Sequence, residues 1–246
     1  MIQINILKWS DTKITFLKEN NIEFNKGIPQ LPNEFIFKKK PVAMSTYAYR
    51  KDIGENEKKD SLINFYMYEN RLWPRLNKID EEIPILLEYG GIVGFDLSPS
   101  VKMLRYRQKF SILINAIHSC YCGIKGVKIL PNFRAGDIGT ICTADYFPDR
   151  VCFMIGNHGC NNNGYKDYGY YELNIILRKK RPDILYIYGN ISKKEADNLI
   201  RKYNIDIITF PDRRNRYMNG VKSYRYYWEN GEVIKRENED LTRRIA

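Results

Sequence analysis

The chain has 246 residues and a mass of 29.1 kDa, which suits one large domain or two small ones. Its hydrophobic fraction of 43% supports a sizeable core and excludes a disordered chain. No apolar run approaches the ~18 residues of a membrane span, and the first residues lack the basic and apolar regions of a signal peptide. Five cysteines form no evenly spaced framework, so we expect a reduced, cytoplasmic protein without membrane association.

The net charge of +11 is spread unevenly along the chain. Residues 1–90 carry 14 basic and 13 acidic groups, whereas residues 91–246 carry 26 basic and 16 acidic groups. Such a field attracts polyanions, which makes nucleic acid or a nucleotide the expected partner. The 19 tyrosines, several interleaved with Arg and Lys, are able to stack on bases. A solubilising surface would explain the same excess of basic residues, and an ordinary amphipathic core would explain the same number of tyrosines.

Residues 1–60 read as an N-terminal accessory segment with short extended pieces around Pro41. From residue 61 onwards, apolar runs of strand length alternate with stretches of helical period. The predicted strands are 62–68, 91–98, 126–132, 150–157, 183–190 and 205–213. The first predicted helix begins at Arg75, because Pro74 suits a first turn. Three further helices are predicted over 102–121, 170–182 and 192–204. Ser192 and Glu195 match the capping box of the last helix.

This rhythm predicts an α/β core domain over residues 61–214, with a mostly parallel sheet of about six βα units. A TIM-like or partial barrel is favoured because nearly every strand ends in a polar motif, and a doubly wound sheet is the alternative. Residues 215–246 are predicted to form a β-hairpin with its turn at Glu229, Asn230 and Gly231, followed by a tail.

The order of motifs resembles an uncharacterised α/β domain family of bacteriophages and bacterial mobile elements. The resemblance covers roughly residues 60–215 and is carried by Asp96-Leu97-Ser98, Pro131-Asn132 and Tyr188-Gly189, each at a strand end. The chain departs from the pattern at Gly94-Phe95, where Ser-Pro is expected before the aspartate. The resemblance implies a phage or mobile-element origin and an α/β fold, and it implies no mechanism.

Polar side chains follow five consecutive predicted strands. Loops after parallel strands converge at one edge, so these residues predict a shared site there. The residues are Asp96 and Ser98; Asn132, Arg134 and Asp137; Asn157, His158 and Cys160; Tyr188 and Asn190; and Asp212, Arg213 and Arg214. Each one taken alone is better explained as a helix cap or a turn residue, and their occurrence after five consecutive strands is what favours a shared site.

Within this set, the residue types suggest separate roles. Between residues 102 and 134 there are seven basic residues and no acid, which suits an anion site at a helix start. The predicted phosphate or nucleic-acid contacts are Arg105, Arg107, Arg134, Arg213, Arg214, Asn132, Tyr188 and Asn190. Asp96, Asp137 and His158 are the candidate catalytic groups for metal binding or acid–base work. Asp96 and Asp137, with Asp212, would bind Mg²⁺ if the strand ends converge.

Familiar motifs are missing from the sequence. Residues 156–164 form a loop rich in glycine and asparagine that lacks the ending of a P-loop, and no G-x-S-x-G elbow is present. His118, Cys120 and Cys122 do not have the spacing of a zinc knuckle, so we predict buried thiols and no structural metal.

The sequence therefore predicts a protein that engages nucleic acid or a nucleotide at the carboxyl ends of its strands, with metal-dependent phosphodiester chemistry as an extension. The alternative is a non-catalytic protein that binds a host factor in counter-defence or takeover. A third reading is an enzyme acting on a small phosphorylated metabolite. If the protein is phage-encoded, we expect it in the cytoplasm of the host cell.

Overall fold

Parallel strands and the helices between them build the structure, a computed structural model that describes residues 5–156, 168–212 and 223–237. The expected α/β class is confirmed. The strands are β1 Phe24–Asn25, β2 Ile28–Pro29, β3 Met44–Thr46, β4 Leu62–Asn64, β5 Gly91–Val93, β6 Ile129–Leu130, β7 Phe153–Gly156, β8 Ile184–Tyr188, β9 Asp206–Phe210, β10 Tyr224–Glu229 and β11 Glu232–Glu237. The helices are α1 Ile6–Glu19, α2 Glu69–Asn77, α3 Ile79–Leu86, α4 Arg105–Ile124, α5 Ile141–Ala144, α6 Tyr168–Lys180 and α7 Lys193–Tyr203.

The strands form two main sheets. One has four parallel strands in the order β3-β4-β5-β6, and the other has five strands in the order β11-β10-β9-β8-β7. Strands β7, β8 and β9 are parallel, whereas β10 runs antiparallel to β9 and to β11. A six-unit TIM-like barrel is not shown.

A short strand and a proline separate the two sheets. Strand β6 has two residues and is followed by Pro131, which has no N–H for a ladder hydrogen bond. Beyond it a single parallel bridge pairs Asn132 with Met154, which links β6 to β7. Hydrogen bonds from Met154 N to Pro131 O and from Phe133 N to Met154 O hold this link. All strands from β3 to β9 therefore run in one direction.

The two sheets curve around a shared interior. The Thr46 hydroxyl at the end of β3 lies 3.1 Å from the Tyr188 hydroxyl at the end of β8. In a flat sheet these strands would stand five spacings, roughly 24 Å, apart. An apolar cluster fills the space between them, with at least one residue from each strand from β3 to β9: Met44, Leu62, Val93, Leu130, Met154, Tyr186 and Ile208.

The helix predicted from Arg75 begins earlier in the structure. Helix α2 starts at Glu69 and contains Pro74 in its interior. Its residues Leu72 and Leu76, one turn apart, are both fully buried, and this burial outweighs the hydrogen bond that the proline removes. The strand predicted over 62–68 is correspondingly short and ends at Asn64.

Two local predictions are confirmed. The Ser192 and Glu195 side chains form the capping box of α7. The hairpin of β10 and β11 turns at Asn230 and Gly231, both with positive φ, as the favoured two-residue turn requires.

The N-terminal segment contributes to the same layers. Strand β3 pairs with β4 from Met44 to Thr46, so the boundary predicted at residue 60 falls between two neighbouring strands. Helix α1 packs against α4, and the indole of Trp9 donates to Leu76 O at 2.8 Å. No helix in the described parts of the chain is long and apolar enough to cross a membrane.

Candidate ligand-binding site

The polar residues at the carboxyl edge, the end of the molecule where strands β3 to β9 finish, surround a buried ion pair. Arg134 donates from Nε to Asp96 Oδ1 at 2.6 Å and from Nη2 to Asp96 Oδ2 at 3.1 Å. Asn132 Nδ2 donates to the same Asp96 Oδ1 at 2.8 Å. The Asp96 side chain is 4% exposed and that of Arg134 is 13% exposed. The carboxylate is therefore neutralised by its partner inside the fold.

Two stacked tyrosines extend this cluster to the neighbouring strands. The Tyr66 hydroxyl, just beyond β4, donates to Asn132 Oδ1 at 2.9 Å. The Tyr66 ring stacks on Tyr188 with centroids 4.8 Å apart and planes at 19°. The Arg134 guanidinium lies 5.3 Å from the centre of the Tyr66 ring. The structure thus joins Asp96, Asn132, Arg134 and Tyr188 in one network.

A glycine at the end of β7 allows the cluster to close. Arg134 Nη1 donates to Gly156 O at 3.0 Å. A Cβ at Gly156 would lie 2.5 Å from Arg134 Nη2 and 2.8 Å from Tyr66 Cε1. Any larger residue would push apart the guanidinium and the ring, so the absence of a side chain here is a packing requirement.

Asp137 belongs to a different group of contacts. Its Oδ1 accepts from Gly139 N at 2.9 Å and caps a short 3-10 turn over Ile138–Thr140. Its Oδ2 accepts from Arg105 Nε at 3.2 Å. In the described chain no hydrogen bond or ion pair is recorded between Asp137 and Asp96, so the structure gives the two carboxylates separate partners.

Other predicted residues lie at the same edge. Arg107 is exposed in the first turn of α4, and Asn190 is exposed after β8. Asp212, after β9, is buried. The predicted residues Asn157, His158, Cys160, Arg213 and Arg214 lie outside the described residues.

The carboxyl edge also exposes large apolar side chains. Tyr68 is 82% exposed, Tyr106 64% and Tyr171 56%. Leu104 and Ile138 are exposed as well. All five lie on the connection after a parallel strand or in the first turn of the helix that follows it. These are five of the eight exposed large hydrophobic residues in the described part of the chain.

Burial changes the protonation of the groups in and around the cluster. Burial and the charge of Asp96 raise the pKa of Tyr66 well above its usual range, so its hydroxyl stays protonated and acts as a donor. Burial, followed by the charge of Asp96, raises the pKa of Glu69 at the start of α2.

The histidine and cysteines of α4 lie in the core. The His118 ring is 1% exposed and stacks on Phe95 at 4.2 Å, and burial lowers its pKa to about 3. Cys120 and Cys122 are buried, which raises the pKa of both thiols. The uncharged imidazole and thiols of this part of α4 therefore pack as members of the core. In the ranges that the structure describes, no three His, Cys, Asp or Glu side chains form a metal-binding group.

The sequence did not single out Tyr66, Thr46 or Asn64. Asn64 is fully buried at the end of β4, and its Oδ1 accepts from Tyr66 N at 3.2 Å. Thr46 and Asn64 are the last residues of β3 and β4, and Tyr66 lies two residues beyond β4, as Asn132 lies two residues beyond β6. Asn64 and Tyr66 lie in the run LINFYMY, which reads as one long strand and so conceals that the strand ends at residue 64. Thr46 lies in the stretch that reads as an accessory segment.

No curated protein and no solved structure shows a significant match to this chain. A family model described as a domain of unknown function, DUF4417, matches residues 21–211. The match takes in β3, every strand from β4 to β9 and the whole of the buried cluster. The chain therefore belongs to the DUF4417 family.

Proposed function

We propose that this protein, of phage or mobile-element origin, binds nucleic acid or a nucleotide at its carboxyl edge. The observation that carries the proposal is the exposure there of three tyrosine rings, Tyr68, Tyr106 and Tyr171. Exposed aromatic rings beside cations are the usual platform for unpaired bases. Single-stranded nucleic acid is the class of ligand that this surface suits best.

Basic side chains accompany the rings. Arg71 in α2 and Arg107 in α4 are exposed, and Arg105 is 60% exposed beside Asp137. The first turn of α4 contains no acidic residue. Phosphates that follow bases stacked on Tyr68 and Tyr106 would meet these guanidinium groups. The buried network of Asp96, Asn132, Arg134 and Tyr188 beneath them holds the strand ends in place. The connections that carry the exposed rings and arginines begin at these strand ends.

The proposal concerns binding and not a reaction. Asp96, the central carboxylate, already accepts two hydrogen bonds from Arg134 and one from Asn132. This arrangement holds the carboxylate in place and neutralises its charge. Its role at this edge is to support the loops that present the rings.

A host protein is the second candidate ligand of the same surface. Leu104 and Ile138 are 63% and 53% exposed at the same edge. Aliphatic side chains offer no stacking surface to a base, and exposed apolar patches commonly mark protein interfaces. In this case the tyrosines would serve as anchors for a protein partner.

Binding of short single-stranded DNA and RNA, followed by fluorescence anisotropy at several salt concentrations, tests the proposal. Replacing Tyr68 or Tyr106 by Ala should cost about 1–3 kcal/mol for each stacked base, roughly 5- to 150-fold in affinity. Trp228→Ala is the matched control, because Trp228 lies near the hairpin turn, at the opposite end of β9. Affinity lost equally in the control, or no binding at low salt, would overturn the proposal in favour of a protein partner.

A further inference from the structure

A pocket lined by three arginines opens beside the exposed Tyr68. Its volume is about 580 Å³, within the usual range for a small-molecule site. Its walls come from the stretch after β3 and from helix α2 after β4. They include Tyr47, Arg50, Met67, Asn70, Arg71 and Arg75. Its walls begin at the carboxyl edge, where Tyr47 follows β3 and Met67 precedes Tyr68, and they continue along α2 to Arg75.

Internal contacts hold two of the arginines in place. Arg50 Nη1 donates to Tyr47 O at 3.0 Å, and its guanidinium lies 4.4 Å from the centre of the Tyr47 ring. The Arg75 guanidinium lies 5.1 Å from the same ring on which Arg50 rests. Tyr47 is almost fully buried, so it serves as a rigid support for both cations.

The charge of the pocket is only partly compensated. Arg75 Nη1 pairs with Glu82 Oε1 at 2.6 Å, and the Glu82 side chain is buried behind it. No acidic partner of Arg50 or Arg71 occurs in the ion pairs of the described residues. Three guanidinium groups against one carboxylate leave a net charge of about +2, which matches a phosphomonoester at neutral pH better than a phosphodiester.

From this we infer that the pocket binds a phosphomonoester group, either of a free nucleoside monophosphate or at the 5′ end of a nucleic-acid strand. The second source rests on the proposed function, because a strand stacked on Tyr68 would place its end at the pocket. Arg71 and Arg50 would contact the phosphate oxygens. Asn70 lies in the same wall and would add a neutral donor.

The test compares ligands that differ only in the phosphomonoester. AMP is measured against adenosine by calorimetry, and a 5′-phosphorylated oligonucleotide against its 5′-hydroxyl form by anisotropy. Wild-type protein should bind one or both phosphorylated ligands at least tenfold more tightly, as expected for one or more charge-assisted hydrogen bonds. Discrimination with AMP alone identifies the free nucleotide as the source, and discrimination with the oligonucleotide identifies the strand end.

Arg71→Ala should reduce the discrimination to below about threefold while leaving the melting temperature unchanged, since Arg71 is exposed. Arg50→Lys keeps the positive charge but loses the planar guanidinium that donates two hydrogen bonds to one phosphate. It should therefore reduce the discrimination less than Arg71→Ala does. Arg236→Ala on the hairpin, where Arg236 is 67% exposed, makes the same charge change elsewhere and should leave the discrimination intact.

Equal binding of phosphorylated and unphosphorylated ligands by wild-type protein would overturn the inference. So would an equal loss in the variants of Arg71 and Arg236. The proposed function fails differently, because it predicts that the 5′-hydroxyl oligonucleotide binds and that this binding depends on Tyr68 and Tyr106. Loss of that dependence refutes the function, whereas loss of phosphate discrimination alone refutes only the pocket.

Discussion

The two ends of the parallel strands differ in how their charges and apolar side chains are arranged. At the amino edge, where the strands begin, four ion pairs join oppositely charged groups: Lys39 with Asp60 at 2.8 Å, Lys58 with Glu88 at 2.9 Å, Lys180 with Asp149 at 3.0 Å and Arg225 with Asp206 at 2.5 Å. At the carboxyl edge one ion pair is buried, and among the exposed arginines of the described residues Arg105 pairs with Asp137 whereas Arg71 and Arg107 have no ion pair. The exposed tyrosines gather at that edge as well.

This difference separates residues that hold the fold from residues that are free to bind. Arg134 directs its donors at Asp96 and at Gly156 O, inside the structure. Arg71 and Arg107 have none of these contacts and face solvent. A surface of unpaired cations and exposed rings does not contribute to stability. Among the described residues the exposed tyrosine rings lie at this edge only, which is what a ligand site at that edge would require.

The largest effect should come from breaking the buried pair. Arg134→Met leaves Asp96 charged and without its main partner, at an expected cost of about 3–5 kcal/mol in the free energy of unfolding. Lys39→Met at the amino edge removes one member of an exposed pair, with side chains 69% and 46% exposed, and should cost less than about 1 kcal/mol. Urea denaturation of both variants measures the contrast. Equal costs would mean that the two edges do not differ in this way.

A second effect should appear as a pH dependence. His118 is buried beneath the cluster, against Phe95, and burial lowers its pKa to about 3 from an ordinary 6.5. The unfolded chain then binds the proton more strongly, so stability present above pH ~6.5 is lost as the pH falls towards 3. From pH ~7.5 to pH ~5 the loss should be about 2 kcal/mol. In His118→Leu this acid-dependent loss should vanish, and an unchanged slope would show that His118 is accessible to protons in the folded state.

A buried carboxylate without a partner provides the counterpart of Asp96. Both Glu172 oxygens, in α6, lack a hydrogen bond within the described structure, and burial raises the pKa of this group. A raised pKa means that stability present below the unfolded value is lost as the pH rises. Glu172→Gln should therefore stabilise the protein at pH ~7.5 by about 1–3 kcal/mol, with the gain disappearing near pH ~4.

Asp96→Asn is the matched control for Glu172→Gln, because it removes a charge that has a partner and should destabilise. The same urea series measures both variants. Destabilisation by both substitutions would show that Glu172 has a partner in solution and that the contrast between the two carboxylates is wrong.

The elements that the sequence predicted best are those with strong local patterns. The apolar runs predict strands over 183–190 and 205–213, and the structure has Ile184–Tyr188 and Asp206–Phe210, each within the predicted range. Asp96, Asn132 and Tyr188 were grouped from their position after strands, and the structure joins them. In each case the information lies within a few consecutive residues or in a general property of parallel strands.

The remaining parts depend on contacts between distant segments. Strand β3 has three residues in a stretch assigned to an accessory segment, and only its pairing with β4 defines it. The arginine pocket brings Arg50 together with Arg71 and Arg75 from a region with almost no net charge. Asp137 follows a strand as Asp96 does, yet it caps a turn instead of joining the cluster. Neither the net charge of a region nor the position of a polar residue after a strand indicates such contacts between distant segments.

Photocrosslinking of a bromouracil-substituted single strand to the protein, followed by peptide mass spectrometry, tests the central claim most directly. The claim is that the carboxyl edge binds nucleic acid through its exposed rings. The expected crosslinks are at Tyr68, Tyr106 or Tyr171, and they should weaken when unlabelled strand competes. Crosslinks concentrated on the hairpin of β10 and β11 around Trp228, or at the amino edge, would contradict the account.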